Sequence, residues 1–146
     1  MRVKFISSVS VITADPVESR RLYFDVLNLP LQSPDGDDYS FSESIEGTKH
    51  FGVWPLSQAA EACFGTTEWP SGHRIPQLSI EFEVENQAAV EAAAKELQDH
   101  GETLLHPVRV EPWGQTVVRI PSSDGAIVGI SYAPWMHDEP ATESTE

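Results

Sequence analysis

Residues 3–12 alternate in a way that predicts a strand covered on one face, with Val9 and Val11 on one side and Ser8, Ser10 and Ile12 on the other. Asp15-Pro16 follows as an N-cap with proline at the first helical position. The helix it opens is expected to run to about Leu27, with Leu22, Tyr23, Val26 and Leu27 as its apolar stripe. Asn28 stands where a helix commonly ends in a left-handed residue. Turn signals at Asp35-Gly36 and Glu46-Gly47 separate expected strands near 29–32, 39–43 and 48–54. The first half therefore reads βαβββ.

The same order recurs over 77–133. A strand at 77–85 carries Ile80, Phe82 and Val84 on one face, and Asn86 caps a helix whose stripe is Val90, Ala93, Ala94 and Leu97. His100 lies in its last turn and Gly101 ends it. Strands near 103–110, 115–120 and 126–132 complete the unit, the last two joined by the turn Ser123-Asp124-Gly125. Ser8 overlays on Ser79 and Asp15 on Asn86 at one common offset, and Phe51-Gly52-Val53 overlays on Val128-Gly129-Ile130. A duplication of this kind predicts an α+β fold. Its two βαβββ repeats would form a curved mixed sheet with helices on one side and a ligand cup on the other.

The expected organisation is one domain over 1–136, with halves of about 1–56 and 77–136 and a connector at 57–76. Within the connector, 57–64 can form a short helix and 65–76 reads as loop. The stretch 137–146 holds Asp138, Glu139, Glu143 and Glu146 and is expected to be a disordered acidic tail.

Charge narrows the choice of partners. A net charge of -14 argues against nucleic acid and anionic membrane, both of which call for basic patches. It serves solubility, or it favours a cationic ligand. No apolar run reaches the roughly 18 residues of a membrane span. The basic, moderately apolar N-terminus is broken by serines and lacks a small-residue cleavage site, so it reads as a strand rather than a signal peptide. The single cysteine, Cys63, excludes an internal disulfide and fits a reducing cytoplasm; lying among alanines, it reads as a buried structural thiol.

Three stretches resemble the vicinal oxygen chelate superfamily of glyoxalases, bleomycin-resistance proteins and extradiol dioxygenases. They are the helix from Asp15-Pro16 to Leu27-Asn28-Leu29-Pro30, the strand Ser79-Ile80-Glu81-Phe82-Glu83-Val84-Glu85-Asn86, and Trp113-Gly114 followed by Ser122-Ser123-Asp124-Gly125. The resemblance implies metal ligands on the first and last strand of each repeat. Those positions are Ser8, Gly52 or its neighbour Trp54, Ser79 and Gly129. None is a good ligand for a divalent metal, which needs imidazole, thiolate or carboxylate donors. The chain is thus similar to a branch without metal ligands; neither metal nor other cofactor is expected. The resemblance, together with exposed sheet edges, also implies a homodimer.

Alternation then gives the cup-facing positions: Ser8, Ser10, Ile12, His50, Gly52, Trp54, Ser79, Glu81, Glu83, Gly129 and Ser131. The expected ligand-binding side chains are Ser8, Ser10, His50, Trp54, Ser79, Glu81, Glu83, Trp113 and Ser131. His50 and Glu81 are the catalytic candidates, as an acid/base pair or clamp; otherwise they are a strand histidine facing solvent and a rim carboxylate. Trp54 and Trp113 either stack on an aromatic or cationic ligand or pack in the core or rim. Trp69 and Trp135 are expected at an edge or a subunit interface. The first functional expectation is a small-molecule binding protein that sequesters an antibiotic or an aromatic or cationic metabolite. The alternatives are a lyase, isomerase or dioxygenase of the superfamily with metal-free or atypical metal chemistry, and an accessory domain without a ligand. No phosphate-binding glycine loop and no serine-hydrolase elbow is present.

Overall fold

A computed structural model describes residues 1–137. Seven strands form one curled mixed sheet: β1 (Phe5–Thr13), β2 (Ser40–Ser42), β3 (Phe51–Pro55), β4 (Leu78–Glu83), β5 (Arg109–Val110), β6 (Thr116–Pro121) and β7 (Ala126–Tyr132). The helices are α1 (Pro16–Arg20), α2 (Leu56–Phe64) and α3 (Gln87–Asp99), with a π-helical segment at Arg21–Val26 and a 3-10 turn at Pro134–Met136. The strand order is β2-β3-β1-β4-β7-β6-β5.

The duplication organises this order. In each repeat the first and last strands pair in parallel, β1 with β3 and β4 with β7. The repeats meet where β1 and β4 pair antiparallel, with Ser8 opposite Glu81 and Ser10 opposite Ser79. Since Ser8 is the repeat equivalent of Ser79, and Ser10 of Glu81, this register is symmetric. Both repeats of the chain therefore contribute to one cup. The edge strands β2 and β5 are the shortest of the sheet, which limits the unpaired backbone exposed there.

Helix α3 forms as its capping residues direct. The Asn86 side chain accepts from Ala89 N at 2.8 Å, and Gly101 takes φ +90° just past the end. Its buried Val90, Ala93 and Ala94 pack on Val84, Val118 and Ile130, the principal core of the outer face. Burying a valine of this kind stabilises by about 1.5–3 kcal/mol.

The first helix departs from expectation. Asp15 caps it by accepting from Glu18 N at 3.1 Å, and Asn28 is left-handed at φ +57°, both as the sequence implies. After Arg20, however, hydrogen bonding widens to the π pattern, with Leu27 N donating to Leu22 O at 2.9 Å. A wider turn rotates the expected stripe off the sheet. Tyr23 still meets Phe51, at 5.9 Å between ring centroids, but Leu22, Val26 and Leu27 are exposed. Two expected strands also shrink. The stretch 29–32 keeps one bridge, Gln32 with Phe41, and of 103–110 only Arg109–Val110 is strand. Prolines explain both, since Pro30 and Pro107 have no N–H to offer a ladder.

The connector helix α2 does more than join the halves. Ala59 and Cys63 pack on Ile127, Ile12 and Trp54, which all lie in the cup-facing phase of their strands. α2 therefore closes one end of the cup. Cys63 is buried, and burial pushes its thiol up to about 11, consistent with a packing role. The expected tail lies outside the described residues apart from His137, whose Nε2 donates to Glu83 at 2.8 Å.

Candidate functional site

A cavity of about 420 Å³ occupies the concave face, within the range of small-molecule sites. Of the residues expected to face a ligand, Ser8, Ser10, His50, Trp54, Ser79, Glu81 and Trp113 line it. Glu83 and Ser131 do not. They have the expected strand phase but lie a layer deeper, both fully buried, with Ser131 Oγ donating to Glu83 Oε1 at 3.0 Å. Glu83 also accepts from Ala133 N, and burial raises its pKa from the ordinary carboxylate value.

Further lining residues are Asp37, Tyr39, Phe41, Glu43, Gln58, Gln115, Arg119 and Trp135. Tyr39, Phe41 and Glu43 share one face of the β2 segment, and Phe41 pairs with Gly52. Gln115 and Arg119 alternate with Val118 and Ile120, which are buried. Extending the alternation rule from the duplicated strands to these two would have found all five. Trp135 lines the cup, whereas Trp69 caps α2 edge-on against Phe64 at 4.9 Å between centroids.

The expected pair His50 and Glu81 belongs to two separate networks. His50 Nδ1 lies 3.1 Å from Glu43 Oε2, and its Nε2 is hydrogen-bonded to the Tyr39 hydroxyl. Tyr39, Phe41 and His50 stack nearly parallel. Burial, then the carboxylates of Glu81, Glu43 and Asp37, push the Tyr39 hydroxyl far up, so it stays protonated. On the other side, Gln115 Nε2 donates to Glu81 Oε1 at 2.8 Å and to Ser131 Oγ at 2.9 Å, while Trp113 Nε1 donates to Gln115 Oε1 at 2.8 Å.

Arg119 forms the back wall. Nη1 donates to Glu111 Oε2 at 2.7 Å and to His106 Nε2 at 3.1 Å, and the guanidinium lies 5.7 Å from the Trp54 ring centroid. Its charge is thus met behind the cavity by Glu111, while Asp37, Glu43 and Glu81 face the cavity. The site is acidic and aromatic.

His106 is buried, and its desolvation, then the neighbouring Arg119, lower its pKa from 6.5. The unfolded chain then takes up this proton before the folded one. Its contribution to stability is present above pH 6.5 and is lost as pH falls below it. Urea midpoints measured at decreasing pH should fall in the wild type, and less steeply in His106→Gln.

The glycines at the cup centre report on metal binding. A Cβ at Gly52 would lie 2.8 Å from Ser10 Oγ and 3.0 Å from the Tyr39 hydroxyl, and a Cβ at Gly129 would lie 3.0 Å from Glu81 Cγ. Ser10 and Glu81 are repeat equivalents, so each half uses its glycine to seat a polar side chain from the adjacent strand. That space is filled, Ser8 and Ser79 supply only hydroxyls, and no cluster of three His, Cys, Asp or Glu suits a metal among the described residues. The donors do not fit a divalent metal. Elemental analysis of purified protein is expected to find well below one equivalent. Gly52→Ala should cost about 1–3 kcal/mol of overpacking, read by urea unfolding, and should displace Tyr39.

Comparison with known proteins bears on the fold. A family model described as a glyoxalase-like domain matches residues 6–133. No curated protein matches the chain significantly. Among solved structures, the chain is similar to a glyoxalase/bleomycin resistance protein/dioxygenase superfamily member from Vibrio splendidus 12B01, with TM-score 0.57 and 11% identity over 90% of this chain and 100% of that one. It is similar to a methylmalonyl-CoA epimerase variant from Streptomyces coelicolor in complex with 2-nitronate-propionyl-CoA, with TM-score 0.57 and 14% identity over 91% of this chain and 99% of that one. A third likeness is the Mn(II)-bound glyoxalase from Novosphingobium aromaticivorans, with TM-score 0.59 and 18% identity over 90% of this chain and 39% of that one. At such identities these likenesses concern the fold alone.

Proposed function

This chain belongs to the glyoxalase-like domain family, and from its cup we infer that it is a small-molecule binding protein for aromatic cations, an antibiotic or a metabolite of that chemistry. The observation carrying this reading is the lining itself. Trp54, Trp113, Trp135, Tyr39 and Phe41 surround a cavity faced by Asp37, Glu43 and Glu81. Indoles and phenyl faces attract cations, more so when desolvated, and the carboxylates add a negative potential. A thermal-shift screen tests the reading. Aromatic cations should raise the melting temperature in a concentration-dependent way, by about 2.7 kcal/mol of stabilisation at a hundredfold excess over Kd. Divalent metals and aromatic anions should not.

One feature favours the enzymatic alternative, an acid/base reaction without metal: the Glu43–His50–Tyr39 chain opens on the cavity. Turnover by the wild type that is lost in His50→Gln would establish it. The reading also includes self-association. The π-helical segment leaves Leu22, Phe24, Val26 and Leu27 exposed, an apolar surface suited to a second copy. Light scattering should give twice the chain mass of 16.1 kDa. No helix among the described residues is long and apolar enough to cross a membrane.

A further inference from the structure

The hydrogen bonds beneath the cavity have a direction, and the direction bears on ligand choice. A carboxylate only accepts, so Glu43 Oε2 at 3.1 Å fixes the proton of His50 on Nδ1. When the ring carries that one proton, Nε2 is an acceptor. The Tyr39 hydroxyl bonded to it must donate its single proton there. What remains of Tyr39 for the cavity is its oxygen lone pair. Across the cup, Gln115 Nε2 spends both its protons on Glu81 and Ser131, and the Trp113 indole N–H is committed to Gln115 Oε1. Glu81 Oε2, lying over Gly129, is left to accept.

We propose that the Glu43–His50–Tyr39 chain sets Tyr39 as an obligatory acceptor opposite Glu81, so that the cup selects cations bearing N–H groups, ammonium or amidinium, over quaternary ammonium ions. This rests on the aromatic-cation reading above and narrows it. An aromatic cage alone takes a trimethylammonium group at least as readily as an ammonium, because it reads charge and surface and has no need of a donor. Two fixed acceptors reverse that order, since a fully methylated nitrogen leaves both desolvated and unpaired. Tyr39 and Glu43 act here as specificity-determining groups, Glu43 through His50. Gly52 permits the arrangement, because any Cβ there would meet the Tyr39 hydroxyl.

The test is calorimetric titration of the full chain with naphthylmethylammonium, its N,N-dimethyl form and its N,N,N-trimethyl form. The dimethyl cation keeps one N–H at nearly the trimethyl size and so separates hydrogen bonding from bulk. The wild type should bind the primary cation about tenfold or more tightly than the trimethyl one, with the dimethyl cation between them. Tyr39→Phe should bring the primary and trimethyl affinities close together. Glu43→Gln should do the same while leaving Tyr39 in place. Its amide can donate to Nδ1 as readily as accept from it, so the imidazole proton is no longer held on Nδ1 and the Tyr39 hydroxyl is free to turn toward the cavity. A merely structural role for either residue would weaken all three probes alike. Equal or tighter binding of the trimethyl cation by the wild type overturns the proposal and leaves the aromatic-cation reading standing, as does a preference that survives in both variants. Failure of all three probes to bind overturns that reading and this proposal with it.

Discussion

Arg119→Met is expected to lower folding stability by about 3–5 kcal/mol in urea unfolding. Arg119 is 1% exposed and Glu111 6% exposed, so the change strands a carboxylate where water cannot solvate it. It also removes the donor to His106 and the cation beside Trp54. Arg109 Nη2, 3.4 Å from the same Glu111 oxygen, softens the loss and places the value toward the lower end. The double variant Arg119→Met, Glu111→Leu should recover much of the stability, because the desolvated charge leaves with its partner. If the single variant were as stable as the wild type, the back wall of the cup would not depend on this ion pair.

Trp54→Ala should act twice. Trp54 lines the cavity and also packs with Ala59, Cys63 and Ile127 beneath α2. Alternation places it correctly on the concave face, but on that ground alone the substitution would leave the fold intact. Its packing against α2 changes the expectation: truncation should cost about 3–5 kcal/mol of stability. Binding of an aromatic cation should weaken by a further 1–3 kcal/mol or so, once measured at a temperature where the variant is folded. Trp113→Ala provides the contrast. Trp113 is 55% exposed at the rim, so it should affect binding with little change in the urea midpoint.

The double role of Trp54 indicates which parts of the molecule were legible in the sequence. Strand phase was legible wherever one face is apolar. Ser8, Ser10, His50, Trp54, Ser79 and Glu81 reach the cavity because Val9, Val11, Phe51, Val53, Ile80 and Phe82 occupy the other face of their strands. Phase does not give depth, and Glu83 shows this. It lies two residues beyond Glu81 on the same face, yet β7 and the segment after it bury it completely. The duplication was legible too, and with it the pairing of glycines and polar residues at the cup centre. Its consequence for Tyr39 was not, because Tyr39 lies just before the three-residue strand β2, and the approach of its hydroxyl to Gly52 is set by tertiary packing, which alternation does not give. The helix stripe failed at Leu22 and Val26, since periodicity assumes α geometry and nothing in Arg21–Val26 announces a π pattern. The place of α2 depends on tertiary packing of small residues, Ala59 and Cys63, against Ile127, which composition and periodicity do not resolve.

The most direct measurement is a titration of intrinsic tryptophan fluorescence with three matched ligands: naphthylmethylammonium, neutral naphthylmethanol and naphthylacetate. Saturable quenching by the cation is expected, with the neutral ligand weaker and the anion without effect. Glu81→Gln should weaken the cation more than the neutral ligand, because it removes charge and keeps shape. Equal affinity for cation and anion, or affinity for the cation unchanged in Glu81→Gln, would contradict an acidic aromatic cup built to hold cations.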